Sequence, residues 1–296
     1  EIVVSKAEHH SVLLPFQELA LRTGATLKWF DLDEEGRVRS DTADEVITDR
    51  TKIVAVTHVG NTTGAITDIA PIIRRAHEVG AVFVLDACQS VPHLKVDFHA
   101  LDVDFAAWSA HKMYGPTGVG FLYGKREMLE ALPPANFGGS MVELAWMDQE
   151  AQYMEPPARF EAGTQPVAQV VAAGVAAEWL MNIGMENLEA HERTITDELL
   201  KMGDIDGIRI LGPRSNKERI GTVAFEVEGV HPHDVGQFID AQGIAIRVGH
   251  HCAQPVHRHF GVYASNRASG GIYNSVEDAQ ALIEALGKVR PFFGVE

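Results

Sequence analysis

The apolar positions of the first half come in short continuous runs, separated by stretches with helical spacing. The runs are "EIVVS", "TLKWFDL", "TKIVAVTHV", "AVFVLDA", "DFAAWSAH" and "GVGFLYG". Short apolar runs with few polar interruptions suit strands buried on both faces. Between them, "SVLLPFQELALRTG" and "DIAPIIRRAHEVG" place apolar residues three and four apart, with Gly24 and Gly80 as stops. Strands alternating with helices predict an α/β fold, a mostly parallel sheet sandwiched by helices.

The rhythm breaks near residue 130. "LPPANFGGSMVELAWMDQEAQYMEPPARFEAGTQP" clusters Pro and Gly and predicts a long irregular connection, a type of segment that is usually functional. "VAQVVAAGVAAEWLMNIG" follows as a long apolar helix expected to be buried, then "MENLEAHERTITDELLKMG" as a helix with a charged face. The remainder predicts strand, strand, helix, strand, helix: "GIRILG", "GTVAFEVEG", "HPHDVGQFIDAQG", "IAIRVG" and "SVEDAQALIEALGKV". The expected organisation is a large α/β domain over residues 1–175 and a smaller C-terminal α+β domain over residues 176–296.

Composition narrows the function. The 296 residues carry a net charge of −16, a field that repels nucleic acid and anionic membranes. No apolar run reaches the ~20 residues a membrane helix needs. The only cysteines, Cys88 and Cys252, cannot build a disulfide framework, which points to a reducing, cytoplasmic setting.

Ligands of open α/β sheets sit at the carboxyl ends of the strands. Those ends carry His58 and Asn61, then Asp86 and Gln89, then Ser109, His111 and Lys112. Singly, an Asp after a strand is often a helix cap and a Lys is ordinarily solvated. As a set they match pyridoxal phosphate (PLP), which needs a lysine for covalent attachment and a carboxylate beside its ring nitrogen. Asp86 fits the carboxylate and Lys112 the amine.

"SAHKMYGPTGVGFLYGK" and "LDACQSVPHLKVDFHALDVDF" resemble the class V aminotransferase superfamily of fold-type I PLP enzymes. "RVGHHCAQP" and "NRASGGIYNS" are similar to the SufS-type (group II) cysteine desulfurases within it. The resemblance implies that His9 stacks on the cofactor ring, that Asn61 and Gln89 contact its hydroxyl side, and that Asp86 pairs with the ring nitrogen. It implies that Ser109 and His111 bind the phosphate, with Thr164 reaching the phosphate of the other subunit of a homodimer. Arg267 is implied to clamp the substrate carboxylate, with Arg247 close by; a guanidinium fork suits that group. L-cysteine is the implied substrate and a SufE-like or SufU-like protein the implied sulfur acceptor, for iron–sulfur cluster assembly. Members of the family are longer, so a preceding segment with a Gly-Thr-Thr-type helix start, and an uncovered sheet edge without it, are expected.

Cys252 has three readings. His250, His251, His257 and His259 lie near it in sequence, but a zinc site would want a second local cysteine. Free cysteines are often core residues. The resemblance implies a nucleophile that carries sulfur as a persulfide, with His9, His250 and His251 as candidates to favour its thiolate. Two departures from the family pattern stand out: Ala110 where Gly is usual, and Gly270 and Gly271 where apolar residues are common. The rival functions are a selenocysteine lyase or another class V aminotransferase-type enzyme, and an inactive fragment that only binds sulfur-transfer partners.

Overall fold

The computed structural model describes residues 1–295. Ile2–Ser5 (β1), Leu27–Phe30 (β2), Ile53–Thr57 (β3), Val82–Asp86 (β4), Phe105–Ser109 (β5) and Gly120–Gly124 (β6) form one sheet in the order β2-β1-β3-β4-β5-β6. The first five strands are parallel, and β6 runs antiparallel to β5. The crossovers carry His10–Thr23 (α1), Ala43–Val46 (α2) and Ala70–Glu78 (α3), and Arg126–Ala131 (α4) follows the last strand. The mostly parallel α/β sheet predicted from the apolar runs is therefore present. Gly24 ends α1 with φ +73°, a left-handed conformation that suits glycine. Val3, Phe30, Val54, Val56, Ile72, Phe83 and Leu85 are fully buried in this half. Each contributes roughly 1.5–3 kcal/mol by leaving water.

The irregular stretch holds a two-stranded ribbon of Val142–Leu144 (β7) and Gln152–Tyr153 (β8). Val167–Ile183 (α5) and Met185–Leu200 (α6) follow. The expectation that α5 is buried is wrong for this chain. Its buried residues are Ala173, Ala176 and Leu180, while Val167, Val171, Val175 and Met181 are exposed. The helix is apolar all round, but only one face meets partners such as Met113 and Leu188. Among the described residues no single helix is long and apolar enough to cross a membrane, and the apolar pair formed by α5 and its successor is bent by 79°.

The second sheet is antiparallel. Ile208–Leu211 (β9), Thr222–Val227 (β10), Arg247–Gly249 (β11) and Ser265–Ser269 (β12) stand in the order β11-β12-β10-β9. Pro232–Asp240 (α7), Gln254–Phe260 (α8), Val276–Leu286 (α9) and Val289–Phe293 (α10) complete this half. The strand expected over "IAIRVG" begins only at Arg247.

A loop of the first half clasps the second. Ala65 bridges to Arg219, Ile66 N–H donates to Glu218 O at 2.9 Å, and Ile220 N–H donates to Gly64 O at 2.9 Å. The buried Arg219 guanidinium donates to the carbonyls of Thr63, Pro213, Ile220 and Thr222. Burial lowers its pKa to about 10. A Cβ at Gly64 would lie 2.4 Å from Thr222 O, so only glycine lets the two backbones meet.

Candidate active site

Apolar strands carry the chain to the carboxyl edge of the large sheet, where polar side chains take over. β4 ends at Asp86, whose Oδ1 accepts from Cys88 N–H at 2.9 Å. β5 ends at Ser109, and a short 3-10 turn then delivers Lys112, which is half-buried. Asp86 pairs in register with Ala107, two residues before Ser109 on the adjacent strand. β1 leads to His9, which caps α1 by accepting from Ser11 N–H at 3.1 Å. Burial lowers the His9 pKa, helped by the Lys112 charge and opposed by Asp86, so the three groups share one space.

The second half supplies the opposite wall. Arg247 and Arg267 face each other across β11 and β12. Arg267 Nη1 donates to Asn61 O at 2.9 Å, and Asn61 Nδ2 donates to His251 O at 2.6 Å. Burial, with Arg247 adding to it, lowers the Arg267 pKa to about 10. Arg247 Nη2 lies 3.8 Å from Cys252 Sγ. His10 N–H donates to Cys252 O at 2.7 Å, tying the cysteine loop to the start of α1. His251 and Cys252 have φ of +50° and +58°, a region that non-glycine residues rarely enter.

The structure thus gathers His9, Asn61, Asp86, Lys112, Arg247, Cys252 and Arg267 from distant parts of the chain. Ser109 joins them through Cys88, its Oγ standing 3.9 Å from Cys88 Sγ. Gln89 is half-buried on the turn after β4, and His111 is exposed beside Lys112. Thr164 is also exposed, and no described contact connects it to this cluster; Glu161, Ala162 and Gln165 around it line a surface cavity along β6.

The cation beside Cys252 is a guanidinium. Of the imidazoles considered for that role, His251 is buried, and burial together with Arg267 lowers its pKa to about 3, so it is neutral at pH 7. His9 is likewise shifted toward its neutral form. Among the described residues no three His, Cys, Asp or Glu side chains stand where they could share a metal ion.

Several residues of the site escaped the sequence reading. Cys88 stands between Asp86 and Ser109, and burial, reinforced by Asp86, pushes its thiol up to about 11. Glu8 is fully buried behind His9, accepting from Ser5 Oγ at 2.5 Å and Thr57 N–H at 2.9 Å. Such burial is invisible in a motif that also contains two histidines. The departures from the family pattern have local reasons. Ala110 is fully buried, and a Cβ at Gly115 would lie 3.1 Å from its methyl, so glycine at 115 makes room for it. A Cβ at Gly271 would lie 3.1 Å from the Tyr114 hydroxyl, which itself accepts from Ile272 N–H at 3.0 Å.

The donor set fits PLP. Lys112 is a half-buried amine that makes no ion pair among the described contacts, and Asp86 stands near enough to share its influence on His9 and Cys88. Asn61 Oδ1, His251 Nδ1 and Arg267 Nε are buried polar atoms without hydrogen-bond partners, as expected of a pocket wall that awaits a polar ligand.

Comparison with known proteins places the chain in a family. The family model "Aminotransferase class-V" matches residues 1–282. A probable cysteine desulfurase 2 of Mycobacterium leprae is 48% identical over the whole chain, which spans 70% of that relative. A cysteine desulfurase of Haloferax volcanii is 41% identical over 99% of the chain and 68% of its own length. The crystal structure of the cysteine desulfurase CsdA of Escherichia coli superposes with a TM-score of 0.92 at 36% identity, over 98% of this chain and 72% of that one. The chain belongs to the class-V aminotransferase family of PLP enzymes, and the relatives it matches along its length are cysteine desulfurases.

Proposed function

We propose that the protein removes sulfur from L-cysteine, leaving L-alanine and a persulfide on Cys252. The observation that carries this reading is the meeting of two groups across the two sheets. One is Lys112 with Asp86 and His9; the other is a free thiol beside Arg247. A plain aminotransferase has no use for a nucleophile at that place.

Asp86 would pair with the ring nitrogen of PLP, Lys112 would anchor its aldehyde and His9 would cover its face. When bound, PLP supplies an electron sink for the substrate α-carbon. Asn61 and Gln89 would contact the ring hydroxyl side, and Ser109 and His111 the phosphate. Arg267 would hold the substrate carboxylate, with Arg247 nearby. Lys112 Nζ would move the α-proton of the substrate. Cys252 Sγ, as thiolate, attacks the substrate sulfur: a new S–S bond forms, the carbon–sulfur bond breaks, and that electron pair is taken up with a proton at carbon. The sum is cysteine plus thiol giving alanine plus persulfide.

The finer reading is a SufS-type enzyme of the cytoplasm, acting as a homodimer in which Thr164 meets the other subunit's phosphate. It passes sulfur to a SufE-like or SufU-like protein for iron–sulfur cluster assembly. The half-exposed Cys252 and the two free cysteines of the chain support it.

Borohydride reduction in the presence of PLP, followed by peptide mapping, is the direct test. A reduced adduct on Lys112 and cysteine-dependent alanine release are expected. Label scattered over surface lysines, with no alanine formed, would reject the reading.

A further inference from the structure

Two buried histidines and a buried serine surround the Cys252 loop without any part in the reaction above. His257 Nδ1 stands 3.1 Å from Ala253 O. A carbonyl only accepts, so Nδ1 carries the proton. Burial lowers the pKa of the ring, and in the neutral ring with the proton on Nδ1 the lone pair lies on Nε2. That nitrogen is 2.9 Å from Ser265 Oγ, so the hydroxyl donates to it. Ser265 Oγ then accepts from His251 Nε2, 3.0 Å away. The His251 proton is thereby fixed on Nε2, and Nδ1 remains a buried acceptor without a partner.

Ala253 O sets the direction of the chain, and the backbones of Gly249 and Ser265 also lie against the His257 and His251 rings. The chain also begins and ends on the two residues that flank Cys252. Ala253 supplies the carbonyl and His251 the final ring. Further contacts hold the same loop from outside: Asn61 Nδ2 to His251 O at 2.6 Å, His10 N–H to Cys252 O at 2.7 Å and Gln254 N–H to His10 Nε2 at 3.2 Å. The loop needs such restraint, because His251 and Cys252 both occupy the left-handed region. Side chains remain there only where the surroundings over-determine the backbone. The Cys252 thiol is held more loosely: Arg247 Nη2 stands 3.8 Å away, and the Arg267 charge is also within reach.

We propose that His257 and Ser265 are positioning residues, forming a one-way hydrogen-bond relay from Ala253 O to the His251 ring that holds the Cys252 thiol against Arg247. The inference deepens the persulfide reading of Cys252 and takes its catalytic meaning from it. The relay is severed by removing either member, and the loop then relaxes out of its left-handed turn. The thiol then leaves its place beside the guanidinium.

The test uses the whole chain loaded with PLP, carrying Ser265→Ala, Ser265→Thr, His257→Phe or His257→Gln. Alkylation of Cys252 by iodoacetamide is followed on its own peptide by mass spectrometry, alongside thermal midpoint, cofactor absorbance and alanine release. Ser265→Ala and His257→Phe should slow Cys252 alkylation by about tenfold and lower kcat for alanine release with KM for cysteine held. Ser265→Thr, which keeps the hydroxyl, should restore both rates. His257→Gln retains a donor and an acceptor on one side chain and should fall between, so it carries the test if Ser265→Ala fails to load cofactor. Alkylation within twofold of the parent in both severing variants overturns the relay. Because alkylation needs no turnover, a parent protein that releases no alanine would instead reject the functional reading and leave the relay standing.

Discussion

Lys112 and Cys252 lie 140 positions apart in the chain and act on one substrate in the proposed reaction, so each can be removed without the other. Cys252→Ser should retain cofactor absorbance while alanine release falls by about three orders of magnitude, since serine is a poor nucleophile toward sulfur. A Cys252→Ser protein that kept a tenth of the parent rate would exclude a persulfide on that residue. Arg219→Met probes a buried charge solvated by carbonyls of both halves. Losing it strands several buried acceptors, and urea titration should report a loss of about 3 kcal/mol. Asp86, Asn61, Arg267 and Lys112 were legible as residues because each stands in a distinctive motif. Arg219, Ser265 and His257 were not, because nothing in an isolated Arg, Ser or His tells that three other segments will close over it. His257 sits in "PVHRHF" beside His259, yet His257 is buried, while His259 donates to the Asp33 carbonyl on the surface.

Among elements, the parallel strands were legible because burial on both faces demands unbroken apolar runs. β12 broke that rule. It has the sequence Ser-Asn-Arg-Ala-Ser, yet Ser265 and Asn266 are fully buried. Its inner face is filled by the polar relay and site residues, so hydrophobic pattern could not announce it. α5 failed in the opposite sense, its composition promising more burial than this chain supplies. α9 follows its signals closely: Ser275 accepts from Asp278 N–H, and Asp278 accepts from Ser275 N–H. Ser275→Ala should cost about 1 kcal/mol, seen as a lower denaturant midpoint with unchanged slope. Gly64→Ala is a harsher test of the clasp, since a methyl would meet Thr222 O and φ is +71°. A loss above about 2 kcal/mol is expected; a neutral result would show that the two sheets dock without this close approach.

Across the whole molecule, buried titratable groups set the pH dependence of stability. Burial raises the Glu8 pKa from 4.5 to about 8. The fold therefore keeps a proton that the unfolded chain gives up, so the Glu8 contribution is complete below pH 4.5 and is lost as pH rises to about 8. His58 and His251 act at the other end, with burial lowering them from 6.5 to about 4 and about 3. The unfolded chain binds protons below pH 6.5 that the fold refuses, so stability falls as pH drops below that value. Thermal stability should therefore peak close to pH 6.5 and decline toward pH 8 by up to about 1.4 kcal/mol per unit. Glu8→Gln should flatten the alkaline limb and leave the acid limb alone. An unchanged alkaline slope in that variant would mean that Glu8 is ionised in the fold.

The wide separation of the two halves of the site has a consequence for how the protein is made. A ribosome adds roughly 5–20 residues per second, so Lys112 is polymerised about 7–28 s before Cys252. During that interval the nascent chain displays the amine of the future pocket without the wall that bears the thiol and both arginines. In the order of synthesis the thiol wall is thus the later-made side of the site.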